Sequence, residues 1–383
     1  MKTIKKALKK AFHKGNERLR TLAERNSLML KVYDKLFLPV VCSLFRAGNY
    51  RLGRIIAGAY VTEMYEELKK SLPESLKKDG RKRRRLERDI IKSYFTGNFF
   101  PPEYFLYHFQ DLDYWERKEF LSDYDRAFQL LANIDDEIFE IAQNKALLYE
   151  KARPYFHREM CQVSPHVPVE LFVDFVRRHQ RFFVKPFNGA TGRGTSIMSA
   201  NNDDEAKKLF QQLSNNGSWV VEELIKQHPA TAQWNESSVN TLRVPTFRTS
   251  DGCRILQPFF RTGRKGSIID NAGQGGVFAV FDPDTGIITT DGVDEYGGTY
   301  PTHPDSGLKF KGWQIPQYDQ VKKLAAELIH FITGTTRQKY LAFDFALTDE
   351  GWILVEANSL GQFVGQMAEQ KGVRKKVLQY IKG

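Results

Sequence analysis

Cysteine is scarce in this chain: three residues, Cys42, Cys161 and Cys253, in 383 positions, with no Cys-x-x-Cys pair. An odd, scattered set excludes a disulfide framework and a structural zinc site, and it fits a reducing compartment. Long apolar runs are missing as well. The longest near the start, Leu36 to Phe45, contains Pro39 and falls far short of the roughly 20 residues that cross a bilayer. No secretory pattern opens the sequence, so a cytoplasmic protein is expected. There is no internal repeat, and no Ser-His-Asp or Cys-His arrangement for covalent catalysis stands out.

What is present is a globular composition with a charge bias. Hydrophobic residues make up 41% and charged residues 27%, which excludes a disordered chain. The length leaves room for two or three domains. A net charge of +11 favours anionic partners: nucleotides, nucleic acid, anionic lipid or acidic sugars. MKTIKKALKKAFHKGNERLR, residues 1–20, sets Ile4, Leu8 and Phe12 at helical spacing among basic residues. That pattern suits either peripheral contact with the anionic inner face of a membrane or a solvated helix end. KKDGRKRRRLER, residues 77–88, suits phosphate contacts or a solvated helix start. It lacks interleaved aromatics, so nucleic acid is not the expected partner.

Two regions differ in texture. Residues 1–143 read as a basic, helical N-terminal domain, with apolar periodicity over 52–72 and 127–152. From Asn144 onward strands and helices alternate, and residues 144–383 read as an α+β domain. RFFVKPF (181–187), TSIMS (195–199) and SWVVEELI (218–225) are expected strands. TLRVPTFRT, RILQPFFRT and GVFAVFD, within 241–282, read as successive antiparallel strands. The segment 318–333 has the apolar spacing of an amphipathic helix.

AFDFALTDEGWILVEAN, residues 342–358, carries the most information. It reads as two strands joined by a three-residue loop, Asp-Glu-Gly at 349–351, with the glycine in the left-handed region. That register sets Asp344 opposite Glu356, and Asn358 follows on the same face. Two carboxylates so placed stand about 5 Å apart at Cβ. Their repulsion is about 3 kcal/mol at an effective dielectric near 20. Apolar neighbours flank both acids, so the pair does not belong to a solvated edge. Something positive must lie between them, and a hard divalent cation with oxygen ligands, Mg²⁺ above all, is the natural candidate.

NGATGRG, residues 188–194, follows a strand that carries Lys185. Gly189, Gly192 and Gly194 allow close approach of backbone N–H groups to phosphate oxygens. No Lys-Ser/Thr follows, so this is not a P-loop. A strand follows instead of a helix, so it is not a Rossmann turn. A flap between two antiparallel strands fits best.

The order of these pieces resembles the ATP-grasp superfamily. Asn144-Lys145 opens a helix. VKPFNGATGRG (184–194), VVEELI (220–225), NTLRV (240–244), Arg261, NAGQGG (271–276) and the closing D-x₁₁-E-x-N at 344–358 follow. NTLRVPT, HPDSGLKFKGWQIPQYD (303–319) and FTGNFFPPEYFLYHF (95–109) resemble more narrowly the sugar-transfer-associated ATP-grasp proteins, which are related to the α-L-glutamate ligases. The resemblance implies an ATP-grasp fold over 144–383, with a first subdomain at 144–225 and a second at 226–383. It implies ATP and Mg²⁺ as cofactors and a role in capsule or other exopolysaccharide biosynthesis.

The resemblance also implies roles. Lys145 and Lys185 match the lysines that contact the nucleotide phosphates. Glu222 and Glu223 match the hinge that meets adenine, and His228 falls near the ribose contact. Arg243 matches the arginine on the γ-phosphate and the acyl phosphate. Arg261 assists it or binds the acceptor carboxylate. Asn271 stands where a side chain meets a metal-bound oxygen or the intermediate. Asp344, Glu356 and Asn358 match the metal ligands. His303 either lines the acceptor site or belongs to a structural loop. The chain departs from the common pattern in its Glu-Glu hinge and in its helical, basic N-terminal domain.

The implied reaction joins a sugar-linked or small-molecule carboxylate to an amine through an acyl phosphate. A kinase-like phosphotransferase on a sugar, and a membrane-surface ATP-binding scaffold without catalysis, stand as alternatives.

Overall fold

The computed structural model describes Pro39, Ser43 and residues 61–72, 79–187 and 194–382. The basic segment 1–20, Cys42, Gly189 and Gly192 lie outside the described residues. The described residues fall into two compact units. One runs up to Phe128 and includes Gln370–Arg374; the other holds Gln129–Glu369 and the residues after Arg374.

The first unit is helical over its described residues. It contains α1 (Val61–Ser71), α2 (Gly80–Gly97), α3 (Pro101–Leu106), α4 (Tyr114–Glu119) and the start of α5 (Asp123–Ala132). Local chemistry sets the ends. The Asp79 carboxylate accepts the N–H groups of Arg81 and Lys82 and starts α2. Asn98 ends it in the left-handed region, donating its N–H to the Tyr94 carbonyl. Two prolines open α3, where a missing N–H costs nothing. Aromatic rings fill the core between these helices: Phe99 and Phe109 stand 4.7 Å apart edge to face, and Phe109 and Phe120 5.3 Å.

The second unit is α+β. The apolar pattern over 127–152 is broken in three: α5, α6 (Asp136–Gln143) and α7 (Lys145–Ala152). Asp135 and Asn144 interrupt it because their side chains cap the helices that follow. Ile138, Ile141 and Ala142 of α6 lie in the main core of this unit. A four-stranded antiparallel sheet comes next: β1 (Met160–Val163), β2 (Arg181–Pro186), β3 (Ser196–Ser199) and β4 (Trp219–Glu223), in the order β1-β4-β2-β3. Helices α8 (Val169–Arg178) and α9 (Asp203–Asn215) bury Phe172, Phe175 and Phe210 against it.

After the short α10 (Pro229–Ala232) an eight-stranded antiparallel sheet forms. Its strands are β5 (Thr241–Thr249), β6 (Gly252–Ile255), β7 (Phe259–Thr262), β8 (Val277–Val280), β9 (Gly292–Val293), β10 (Thr299–Tyr300), β11 (Tyr340–Thr348) and β12 (Gly351–Asn358). The order is β10-β9-β8-β7-β5-β11-β12, with β6 on β5. Helix α11 (Tyr318–Thr333) packs Val321, Leu328 and Ile332 into the same core as Leu341, Phe343 and Phe345 of β11. Helices α12 (Gly365–Glu369) and α13 (Arg374–Lys382) follow. No described helix is long and apolar enough to cross a membrane.

The acidic hairpin differs from expectation in one detail. Thr348 pairs with Gly351, so the loop is the two residues Asp349-Glu350, and Gly351 has φ 111°. Phe345 then pairs with Leu354, whereas Asp344 pairs with Glu356. A bulge at Val355 restores the residue that the shorter loop omits. Asp344 therefore faces Glu356, and Ala342 faces Asn358.

Candidate functional site

Three adjacent strands place charges in one row across the large sheet. Arg243 of β5 pairs with Asp344 of β11, which pairs with Glu356 of β12. Arg261 of β7 pairs with Thr241, two residues along β5. The Asp344 carboxylate is 2% exposed and held by two guanidinium groups. Arg243 grips both of its oxygens, and Arg261 donates to one at 2.8 Å. Burial pushes the Asp344 carboxyl up, but the two arginines together outweigh it and hold it below the usual range. Burial also opposes the Arg243 charge, and Asp344 more than offsets that. Arg261 further donates to Thr241 Oγ1 and stands 3.5 Å from Asp270. The positive partner that the carboxylate pair demands is thus supplied at Asp344 by protein.

Glu356 is less enclosed, 30% exposed, and the Lys145 ammonium stands 3.9 Å from it. Lys145 reaches it from the first turn of α7, which Asn144 fixes by accepting the N–H groups of Ala146 and Leu147. Burial lowers the Lys145 pKa; Glu356 acts against this, and Lys185 adds to it. Lys185 of β2 is buried against Glu222 of β4. Glu222 sits among two cations: Lys185 on one oxygen, Arg158 Nε and Nη2 on the other at 3.1 and 2.9 Å. Burial would raise its pKa, but the two cations hold it low.

Arg158 was not legible as a site residue. It lies between α7 and β1 with a side chain 2% exposed. Besides Glu222 it donates to the carbonyls of Leu354, at 2.7 Å, and Val355, at 3.4 Å. Those carbonyls belong to the bulge, where the strand ladder is interrupted. One guanidinium therefore ties the strand carrying Glu222 to the hairpin carrying Glu356. No sequence signal marks it, because its partners lie 64 and 196 residues away.

The remaining residues are placed as follows. Glu223 accepts the Glu159 N–H at 3.1 Å. His228 caps α10, its Nδ1 accepting the Ala230 N–H. Asn271 caps a short turn at 272–274 by accepting the Gly273 N–H. His303 is buried; its Nε2 lies 3.0 Å from the Gly263 carbonyl, and its Nδ1 accepts the N–H groups of Asp305 and Ser306. Both ring nitrogens of His303 are engaged in holding its loop, and burial lowers its pKa. Gly194, at φ 78°, closes the glycine-rich segment before β3.

A family model described as sugar-transfer associated ATP-grasp matches residues 135–382. The chain belongs to that family. The two antiparallel sheets of the second unit are accordingly an ATP-grasp fold, and the described part of the first unit is helical. Among solved structures, D-alanyl-alanine synthetase A from Vibrio cholerae is 12% identical, with TM-score 0.39, over 63% of this chain and 64% of that one. A D-alanine–D-alanine ligase from Coxiella burnetii is also 12% identical, with TM-score 0.38, over 63% and 57%. The enzyme of that name from Bacillus anthracis, complexed with ATP, is 11% identical, with TM-score 0.38, over 63% and 66%. The chain spans less than two thirds of the length of each of these proteins. No curated protein matches it.

The donor set in this ATP-grasp chain suits a hard cation at Glu356 and Asn358. Both belong to the same face of β12. The Asn358 amide nitrogen is buried without a hydrogen-bond partner. Turned over, the amide would present an oxygen donor in its place. Asp344 contributes charge to that corner, with its oxygens already shared between two arginines. Among the described residues no three His, Cys, Asp or Glu side chains converge on one point.

Proposed function

We propose that this protein is an ATP-dependent carboxylate–amine ligase. The observation that carries the reading is the balance of buried charge between and across the two sheets. Lys145, Lys185, Arg158, Arg243 and Arg261 face Glu222, Asp270, Asp344 and Glu356. Such a surplus of rigidly held cations beside a Glu–Asn pair fits a polyphosphate with a hard cation.

In this reading Lys145 and Lys185 hold the nucleotide phosphates. Glu223 and its strand meet adenine; Glu222 serves to position Lys185, because its carboxylate is already bound on both oxygens. Glu356 and Asn358, with Asp344 behind them, would hold Mg²⁺, which supplies charge neutralisation at the phosphates. An oxygen of the acceptor carboxylate attacks the γ-phosphorus, and the bond to the β-bridging oxygen breaks to release ADP. An amine then attacks the acyl carbon, loses a proton, and inorganic phosphate leaves. Arg243 and Arg261 stabilise the charge that moves onto these oxygens. Asn271 orients the intermediate. His303 is assigned to its loop, since both ring nitrogens are occupied.

The family's association with sugar transfer supports an acidic sugar or a sugar-linked amino acid as acceptor, in capsule or exopolysaccharide biosynthesis. The test is phosphate release from ATP and Mg²⁺ across a panel of uronic acids, amino acids and amines. Glu356→Gln should abolish turnover and leave the circular dichroism spectrum unchanged. Full turnover in that variant would remove the metal assignment, and a stable phosphorylated sugar formed without an amine would favour phosphotransfer.

A further inference from the structure

Residues 1–128 carry 28 Lys and Arg against 17 Asp and Glu, whereas residues 129–383 carry 29 of each. The entire +11 excess lies in the first 128 residues, outside the family match. Its clearest concentration among the described residues is on α2. Arg81, Arg84, Arg85 and Arg88 are all exposed and recur at the spacing that lines one flank of a helix. A neighbouring flank is buried through Glu87, Ile90, Ile91 and Tyr94. Among the described residues the nearby carboxylates are taken: Asp79 by Lys82, Glu87 by Arg83 and Asp89 by Arg117. None of the four arginines has an ion-pair partner among the described residues.

This arrangement does not serve the helix. The first turn of α2 contains no acid, and positive charge there opposes the helix dipole. Arginines three and four residues apart also repel one another. A feature that breaks local rules without a compensating contact among the described residues points to a partner outside them.

We propose that the Arg81–Arg84–Arg85–Arg88 flank is a docking surface for anionic phospholipid headgroups. Guanidinium binds phosphate in two-point fashion, which suits four arginines better than four lysines. The flank extends about 10 Å along a convex helix and offers no aromatic ring for a base to stack on. The segment 1–20 adds the same charge with Ile4, Leu8 and Phe12 interspersed. Apolar residues among cations are rewarded at a lipid surface and have no use on a phosphate backbone. The proposal does not depend on the nucleotide reading, because none of these arginines belongs to that site.

The experiment is flotation of the full chain with phosphatidylcholine vesicles, with and without phosphatidylglycerol. Binding should require phosphatidylglycerol and weaken as salt rises. The quadruple variant R81Q/R84Q/R85Q/R88Q should partition at least about tenfold less. The milder R84Q/R88Q should fall between it and the parent, which keeps the test sound where the quadruple variant loses helix by circular dichroism. Replacement of all four by Lys should bind more weakly than the parent and more strongly than the quadruple Gln variant. Equal binding to neutral vesicles, parent-like binding by both Gln variants, or a stronger preference for duplex DNA or RNA at the same salt would each overturn it.

Discussion

At the scale of the residue, Arg158 decides how the site is braced. It has no counterpart in any spacing pattern, yet it satisfies Glu222 and donates to the Leu354 and Val355 carbonyls of the hairpin. Removing one member of a buried charged pair leaves its partner uncompensated, which costs about 3–5 kcal/mol. Arg158→Ala should therefore lower the stability of the second unit by that order in a denaturant titration, and weaken ATP binding by roughly 10- to 100-fold. Parent-like stability and affinity would show the clasp to be dispensable. Asp344 carries the complementary lesson. Its sequence context shows that an acid so placed needs a cation, but chemistry at one position does not say which. Arg243 is its neighbour on β5, and Arg261 reaches it from β7, the next strand over.

At the scale of the element, capping residues explain most boundaries and tertiary contacts explain the rest. The long pattern at 127–152 was legible as helical; its breaks follow from Asp135 and Asn144, whose short polar side chains prefer to cap. The hairpin at 340–358 was legible because alternation fixes which residues share a face. Its loop was not, since a two-residue loop with a bulge and a three-residue loop give the same pairing at Asp344. In the first unit, Glu103 of α3 accepts the N–H groups of Phe100 and Asp123. Burial pushes its pKa up to about 8. The folded state then keeps a proton that the unfolded state loses in the ordinary carboxylate range. Stability should fall as pH rises from the ordinary range to about 8, and level off above it. Melting of the parent at pH 5 and pH 8 checks the sign. Glu103→Gln should flatten the dependence, at some cost in absolute stability because an amide nitrogen cannot accept a hydrogen bond.

At the scale of the whole molecule, charge and fold are divided unequally: the basic excess lies in residues 1–128, and the ATP-grasp fold in a part with no net charge. A ligand bound only by the folded state should raise stability by about 2.7 kcal/mol at a hundred times its dissociation constant. ATP with Mg²⁺ should therefore raise the melting temperature, and hydrogen exchange should slow in β2, β4 and β12. Absence of both effects would argue against the nucleotide reading. The sequence by itself determined the α+β class, the strand alternation and the opposition of Asp344 to Glu356, because those depend on periodicity and short loops. Only the tertiary structure decided which cations neutralise which acids. Arg158, Glu222 and the carbonyls of Leu354 and Val355 are far apart in the chain, and a buried charge takes whatever partner the packing brings within hydrogen-bond reach.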